Sequence, residues 1–195
     1  MTGSQNIKTD IILSLYKNIR SVFRLIDIAM LTGETDMLVL SKKLNYYVKK
    51  KQIGNPRKGI YAKPGYDRVE LACCLYTPCY ISLEYVLQQK GIIFQYDTQI
   101  TAVSYLSRIT TIGDQSYRYR KLKGELLVNT TGIVQLPNMV NIAVAERAFL
   151  DMLYLSPGFY FDNINSLDKS LIGNLLPIYQ SASLTKRVEK LLQYV

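Results

Sequence analysis

Residues 36–62, DMLVLSKKLNYYVKKKQIGNPRKGIYA, restrict the fold more than any other part of this 195-residue chain. Leu40, Leu44, Val48 and Lys51 recur at four, four and three residues, and Tyr47 widens the same stripe. That rhythm predicts a helix over about 37–51 with one face turned inward. Lys42, Lys43, Tyr46, Lys49 and Lys50 fall off the stripe, towards solvent. Thr35 or Asp36 supplies the N-cap, because either side chain can accept from the first free backbone N–H groups. After a short piece over 52–55, Pro56-Arg57-Lys58-Gly59 predicts a turn and Ile60-Tyr61-Ala62 an extended return. A strongly basic helix thus leads into a small hairpin with a basic tip.

The preceding segments complete a recognisable order. Residues 7–18 predict a helix with Ile11, Ile12, Leu15, Tyr16 and Ile19 on its apolar face. Ser21-Val22-Phe23 reads as extended, residues 25–31 as a second helix stopped at Thr32-Gly33, and residues 32–35 as a turn. Helix, short strand, helix, turn, basic helix, two-stranded wing is the order of a winged helix-turn-helix, in which the third helix enters the major groove. The charge supports that reading. Residues 1–65 hold twelve Lys/Arg against four Asp/Glu, whereas residues 66–195 hold twelve against eleven, so nearly all of the net +9 lies in the first third. A concentrated positive field attracts polyanions, and double-stranded DNA is the leading candidate. Lys42, Lys43, Lys49, Lys50, Arg57 and Lys58 are candidates for phosphate contact; Ser41, Lys42, Asn45 and Tyr46 are placed for base edges, and Arg57 for a minor groove.

Lys63-Pro64-Gly65 predicts a domain boundary, giving a winged helix-turn-helix over 1–65 and a mixed α/β domain over 66–195, an α+β chain overall. Beyond the boundary, helices are expected at 68–76 (capped by Asp67) and 83–90 (capped by Ser82, closed by Gly91). Residues 98–111 and 115–122 are rich in Thr, Ile, Val and Tyr and read as a hairpin turning at Gly113-Asp114. Strands are expected at 126–128, 134–136 and 140–144, and a helix over 145–155 stopped by Pro157-Gly158. Helical pieces over 166–195 break near Pro177 and 181–183, the last with Leu184, Val188, Leu191, Leu192 and Val195 on one face. Tyr117-Arg118-Tyr119-Arg120-Lys121 alternates aromatic and basic residues, so tyrosines and arginines point to opposite faces of a strand. Inward tyrosines with a solvated Arg row is one reading; a partner surface carried by Arg118, Arg120 and Lys121 is the other.

Several chemistries lack their residues. The chain has no histidine, which removes Ser-His-Asp and Cys-His nucleophile pairs and His-ligated zinc. Cys73, Cys74 and Cys79 are odd in number and crowded; they read as reduced thiols of a cytoplasmic protein rather than a disulfide framework or a three-thiolate metal site. No G-x-x-x-x-G-K-S/T or G-x-G-x-x-G phosphate loop occurs, so no cofactor is implied. Glu146 and Asp151 are five residues apart on one helix, which separates them, and an ion pair or cap is the expected role of each. No catalytic and no metal-binding residue is therefore assigned. The first ten residues lack the apolar core of a signal peptide, and no uncharged apolar run approaches about 18 residues, so no membrane span is expected.

Four segments together resemble the AbiEi-type antitoxins, the regulatory half of bacterial type IV toxin–antitoxin (abortive infection) systems. They are Val22-Phe23-Arg24-Leu25-Ile26-Asp27-Ile28-Ala29, Arg57-Lys58-Gly59-Ile60-Tyr61-Ala62, Pro78-Cys79-Tyr80-Ile81-Ser82-Leu83-Glu84 and Ala145-Glu146-Arg147-Ala148-Phe149-Leu150-Asp151. They follow the family's order across about residues 20–155. Lys90-Gly91 stands where that family often has His-Gly, and Ala145 where it has Pro. The resemblance implies a non-enzymatic repressor that binds an operator, often inverted repeats, in its own promoter; self-association on that DNA is a further expectation. It also implies an antitoxin that counters a nucleotidyltransferase-like toxin, without requiring a stable complex. Two other readings stay open on the residues alone: a winged-helix regulator with an effector or oligomerisation domain and no toxin, and a nucleic-acid-processing enzyme with its site in residues 66–195.

Overall fold

The computed structural model describes residues 10–193 and divides the chain into two compact units, the first ending at Cys74 and the second beginning at Leu75. The expected start of the first helix at residue 7, and Val195 on the last, lie outside the described residues. Among the described residues no helix is long and apolar enough to cross a membrane.

The first unit runs α1 (Ile11–Lys17), β1 (Val22–Arg24), α2 (Leu25–Thr32), α3 (Met37–Lys49), β2 (Gly54–Arg57), β3 (Ile60–Ala62) and most of α4 (Arg68–Leu75). Its three strands form an antiparallel sheet in the order β1-β3-β2. Helices α1 and α3 each begin at an aspartate. The Asp10 carboxylate takes the Ile12 and Leu13 N–H groups, and the Asp36 carboxylate takes those of Leu38 and Val39. Gly33, at φ 69°, ends α2 in the left-handed conformation that a side chain disfavours. Ile11, Leu15, Phe23, Ile28, Leu40, Leu44, Ile53 and Tyr61 pack into one core, with Tyr47 and Val48 at its margin. Ile19, expected on the buried face of the first helix, is exposed because α1 ends at Lys17; Tyr16, expected on the same face, lies within the helix but is exposed, with its hydroxyl donating to the Gln52 carbonyl at 2.8 Å.

Two further expectations are corrected at the end of α3. Lys51 is not on the buried stripe: the helix stops two residues earlier, and Ile53 fills the place in the core. Lys51 instead sits at φ 57° while its N–H reaches the Val48 carbonyl and the Gln52 N–H reaches that of Tyr47. This is a Schellman closure with lysine where glycine is usual. Pro56 and Arg57 belong to β2 rather than to the turn, which is confined to Lys58-Gly59. The register shifts between Gly54 and Arg57, and the Asn55 amide donates to the carbonyls of Arg57 (3.0 Å) and Ile60 (2.7 Å), stitching the two strands at the bulge. The unit also continues past the expected boundary at residues 63–65. The Glu70 carboxylate on α4 accepts from the backbone of Ser21 (2.6 Å) and Val22 (2.9 Å), tying that helix to β1.

The second unit comprises β4 (Cys79–Ile81), α5 (Glu84–Gln89), β5 (Ile100–Ser104), β6 (Arg108–Ile112), β7 (Gln115–Lys121), α6 (Gly124–Val128), β8 (Ile133–Gln135), β9 (Asn141–Ala143), α7 (Ala145–Leu155), α8 (Lys169–Leu175), a 3-10 turn (Leu176–Tyr179) and α9 (Ala182–Gln193). Its mixed sheet has the order β6-β7-β5-β4-β9-β8. The β6–β7 hairpin turns at Gly113-Asp114 as expected, with Ile112 opposite Gln115. Residues 98–111, however, hold two strands, since the chain breaks after Ser104 and β5 pairs with β7 in parallel. Residues 126–128 are helical rather than a strand: Leu126 and Leu127 are buried on one side while Val128 is exposed. Ser82 does not cap α5. Leu83 occupies the cap position at φ 63° and ψ −140°, and the Ser82 hydroxyl is committed elsewhere. Helix α7 is buried from Glu146 to Leu153, charged residues included, and packs against α5, α8 and α9.

Candidate nucleic-acid interface

Helix α3 gives its core-facing side to Leu40 and Leu44, and this fixes what the opposite side presents. Lys42, Asn45, Tyr46, Lys49 and Lys50 are all exposed there, and Ser41 is half-buried at the edge of the face. Tyr46 is 56% exposed; its ring stands edge-on to Tyr47, with centroids 5.6 Å apart, and the Lys50 ammonium lies 5.7 Å from its centroid. Lys43 sits at the far margin, where its Nζ donates to Glu34 Oε2 at 2.7 Å. That bond holds the Glu34 carboxyl below its ordinary pKa. Arg57 and Lys58 are exposed at the end of the β2–β3 hairpin, which is joined to the start of α2 by the Leu25 N–H on the Gly59 carbonyl (2.9 Å).

One member of this face escaped the sequence reading. Leu38, 76% exposed, lies in one row with Lys42, Asn45 and Lys49, at spacings of four, three and four residues. The signal was present in that spacing, but an apolar residue in a polar row reads as noise until its exposure is known.

The acids of the unit decide where its positive charge remains. Asp27 Oδ2 accepts from Arg20 Nη2 (2.9 Å), from the Arg24 backbone N–H (2.9 Å) and from Arg24 Nε (3.3 Å), and Arg24 Nη2 reaches its other oxygen at 3.2 Å. Burial alone would raise the Asp27 pKa, but the bonds from Arg24 and Arg20 outweigh it and hold the carboxyl below its usual value. Lys63 turns inward, its Nζ donating to the Asn18 carbonyl at 2.6 Å, and its burial lowers its pKa. Three cations are thereby drawn into the unit's own structure. Lys42, Lys49, Lys50, Arg57 and Lys58 are exposed on α3 and the hairpin, as are Lys17, Lys51 and Arg68 elsewhere in the unit.

The basic strand of the second unit is laid out differently. Tyr117 and Tyr119 are buried, as the inward reading of the alternation expects. The arginines do not form a solvated row. Arg118 Nη1 donates to Glu84 (3.4 Å) and Nη2 lies 3.8 Å from Asp97, while Arg120 Nη2 donates to the Leu155 carbonyl (3.1 Å). Only Lys121 of the three is exposed.

The second unit also holds a buried polar cluster joining residues far apart in sequence. Asp151, fully buried, accepts from Arg147 Nε (3.3 Å), Ser82 Oγ (2.8 Å), Tyr80 Oη (3.0 Å) and Tyr179 Oη (2.7 Å). Arg147 donates onward to Tyr80 Oη (3.1 Å) and to the carbonyls of Leu126 (2.9 Å) and Thr131 (3.0 Å). Burial pushes the Asp151 carboxyl up, and Arg147 with the three hydroxyls opposes it by favouring the carboxylate. Burial raises both phenols, so Tyr80 and Tyr179 stay protonated donors. Glu146 serves as a cap, accepting the Asp168 N–H at 3.1 Å. The ion pair and cap expected of Asp151 and Glu146 are both present. The signal for the cluster was the i, i+4 pair Arg147–Asp151 on an otherwise apolar helix; its other three members had none.

None of the three cysteines is in a disulfide; Cys79 is buried and Cys73 and Cys74 are half-buried, and burial pushes the Cys74 thiol up to about 11. Such a thiol stays protonated at neutral pH and is a weak nucleophile. No group of three acidic or thiol residues among the described residues could hold a metal ion. No protein-family model and no curated protein matches this chain.

Proposed function

We propose that the first unit is a winged helix-turn-helix and that the chain is a DNA-binding repressor acting as the antitoxin of a type IV toxin–antitoxin pair. The observation that carries the DNA reading is the exposed basic row of α3 together with the basic tip of the hairpin. Asp27 and Glu34 engage Arg20, Arg24 and Lys43, whereas Lys42, Lys49, Lys50, Arg57 and Lys58 are exposed on α3 and the hairpin, with Lys17, Lys51 and Arg68 exposed elsewhere in the unit. A basic helix and a basic-tipped hairpin are the two parts that a winged helix-turn-helix sets in a major groove and on the adjoining backbone. In this reading Lys42, Lys49, Lys50, Arg57 and Lys58 neutralise phosphates. Asn45 and Lys42 address base edges, and Leu38 supplies an apolar contact suited to a thymine methyl. Ser41 and Tyr46 flank that row.

The antitoxin part of the proposal rests on the resemblance of the four segments. Two of these, residues 78–84 and 145–151, supply Tyr80, Ser82, Arg147 and Asp151 to one buried cluster, which accounts physically for their co-occurrence.

The test is binding of the full chain to its own upstream DNA against scrambled DNA over a salt series. Preferential binding with a steep salt slope is expected. Replacing Lys42, Lys49, Arg57 and Lys58 together by Ala should flatten the slope of log K against log salt by roughly 3–4, at about 0.9 per phosphate contact. An unchanged slope would remove α3 and the hairpin from the interface. Co-expression with the product of the neighbouring gene then tests the antitoxin role: loss of growth rescue by the intact chain would leave a regulator without a toxin.

A further inference from the structure

The sheets of this protein end in strands of very different character. In the three-stranded sheet, edge strand β2 carries Pro56 and a register shift, and edge strand β1 has three residues. In the six-stranded sheet, edge strand β8 also has three residues. Short length, proline and bulges are the devices that keep sheet edges from pairing with other chains. The remaining edge, β6, has none of them. It is five residues long, Arg-Ile-Thr-Thr-Ile, and pairs with β7 in unbroken register from Arg108↔Tyr119 to Ile112↔Gln115. Four consecutive β-branched residues give it high strand propensity. Ile109 is 62% exposed and Thr111 is exposed beside it.

The register also tells which backbone groups face outward. The hairpin turns in two residues, with Gly113 at φ 60° in the first, the Gly-first pattern of a type II′ turn. The pair closing such a turn, Ile112 and Gln115, exchanges hydrogen bonds across the hairpin. Alternation then points the N–H and C=O groups of Ile109 and Thr111 away from β7, on the same residues whose side chains are exposed.

We infer that β6 is a homodimerisation edge, pairing antiparallel with β6 of a second copy of this chain about a two-fold axis through Thr110. The argument for a second copy is self-complementarity. With Thr110 on the axis, Ile109 of each copy faces Thr111 of the other, and those are the two residues with outward backbone groups. Each copy contributes two N–H and two C=O groups to four main-chain bonds, none left over. Side chains match as well: β-branched residues oppose each other at the centre. Arg108 at one end of β6 is brought beside the other copy's turn, which carries Asp114, so the two ends are complementary in charge. The pairing is isologous and closes at two, joining both six-stranded sheets into one. It stands independently of the DNA reading.

The test uses the full chain. Sedimentation over a dilution series should show monomer and dimer and no larger species. Ile109→Lys, which changes only an exposed side chain, should weaken dimerisation by at least about tenfold with an unchanged far-UV CD spectrum. Thr111→Pro, which removes an outward N–H, should do the same. Thr110→Cys should give a disulfide-linked dimer on mild oxidation, because a central pair without mutual hydrogen bonds brings the two Cα atoms within disulfide reach; wild type under the same treatment should give none. A chain that stays monomeric at the highest concentration overturns the proposal. So does a dimer indifferent to Ile109→Lys, or a Thr110→Cys variant that fails to cross-link.

Discussion

Asp27 is the most economical place to test how the first unit is held together. Its side chain is 11% exposed and serves two arginines, Arg20 at 20% and Arg24 at 42% exposure. Asp27→Asn keeps the shape and removes the charge. A charge-assisted hydrogen bond in a partly buried setting contributes about 1.5–3 kcal/mol. The short Arg20 bond falls in that range; the longer, more exposed Arg24 pair adds at most about 0.5–1 kcal/mol once solvent screening is allowed for. We therefore expect a loss of roughly 2–3 kcal/mol at neutral pH, below the cost of orphaning a fully buried charge. The sign with pH follows from the direction of the shift. Although burial opposes it, the bonds from Arg24 and Arg20 lower the folded pKa, so the unfolded chain holds this proton more tightly than the native one. The contribution is complete above the unfolded value of about 4 and is lost as the pH falls from there through the folded value. Urea unfolding of wild type and Asp27→Asn at neutral pH and at about pH 2.5 measures both, and the gap should shrink in acid. A neutral-pH gap below about 0.5 kcal/mol, or one undiminished in acid, would refute the reasoning.

Three further outcomes are expected. Arg147→Met should destabilise the second unit by about 3–5 kcal/mol, since it strands a buried carboxylate, and Asp151→Asn added to it should cost far less than the sum of the two single changes; urea midpoints of the cycle measure the coupling. Gly132→Ala should cost roughly 2–3 kcal/mol, because Gly132 lies at φ 76° and a Cβ there would stand 3.0 Å from Leu175 Cδ2 and 3.1 Å from Arg147 Cβ. Thermal unfolding would show it as a lowered Tm. Lys51→Gly should instead raise stability by about 0.5–1 kcal/mol, relieving the left-handed lysine that closes α3; an unchanged or lowered urea midpoint would contradict that.

Where the sequence was legible, two independent signals coincided. Helix α7 has the expected bounds because an apolar run is followed by Pro157-Gly158, and α2 ends where Gly33 stops it. The exposed row of α3 was readable because its lysines are excluded from a stripe of Leu40 and Leu44. Where only one signal existed, it misled. Lys51 continues the spacing of that stripe by number alone, and nothing local distinguishes a lysine at the fourth position from one already past the helix end. Residues 126–128 are too short for periodicity to separate helix from strand. The break between β5 and β6, at Tyr105-Leu106-Ser107, contains neither Gly nor Pro, so composition gave no punctuation. The cluster around Asp151 was invisible for a different reason: Tyr80, Ser82 and Tyr179 meet it only through the packing of β4 and the 3-10 turn around α7, which is tertiary information.

The Asn55 amide, bonded to a carbonyl on each side of the hairpin turn, has a consequence for association rather than for stability. A hairpin of nine residues, free to fray, would have to be frozen on meeting a partner, at about 1–2 kcal/mol of backbone entropy for every residue newly ordered. Here that ordering is completed during folding. In the proposed complex with DNA the tip bearing Arg57 and Lys58 would arrive as a rigid prong, and binding energy gained there would be retained instead of being spent on immobilising the chain.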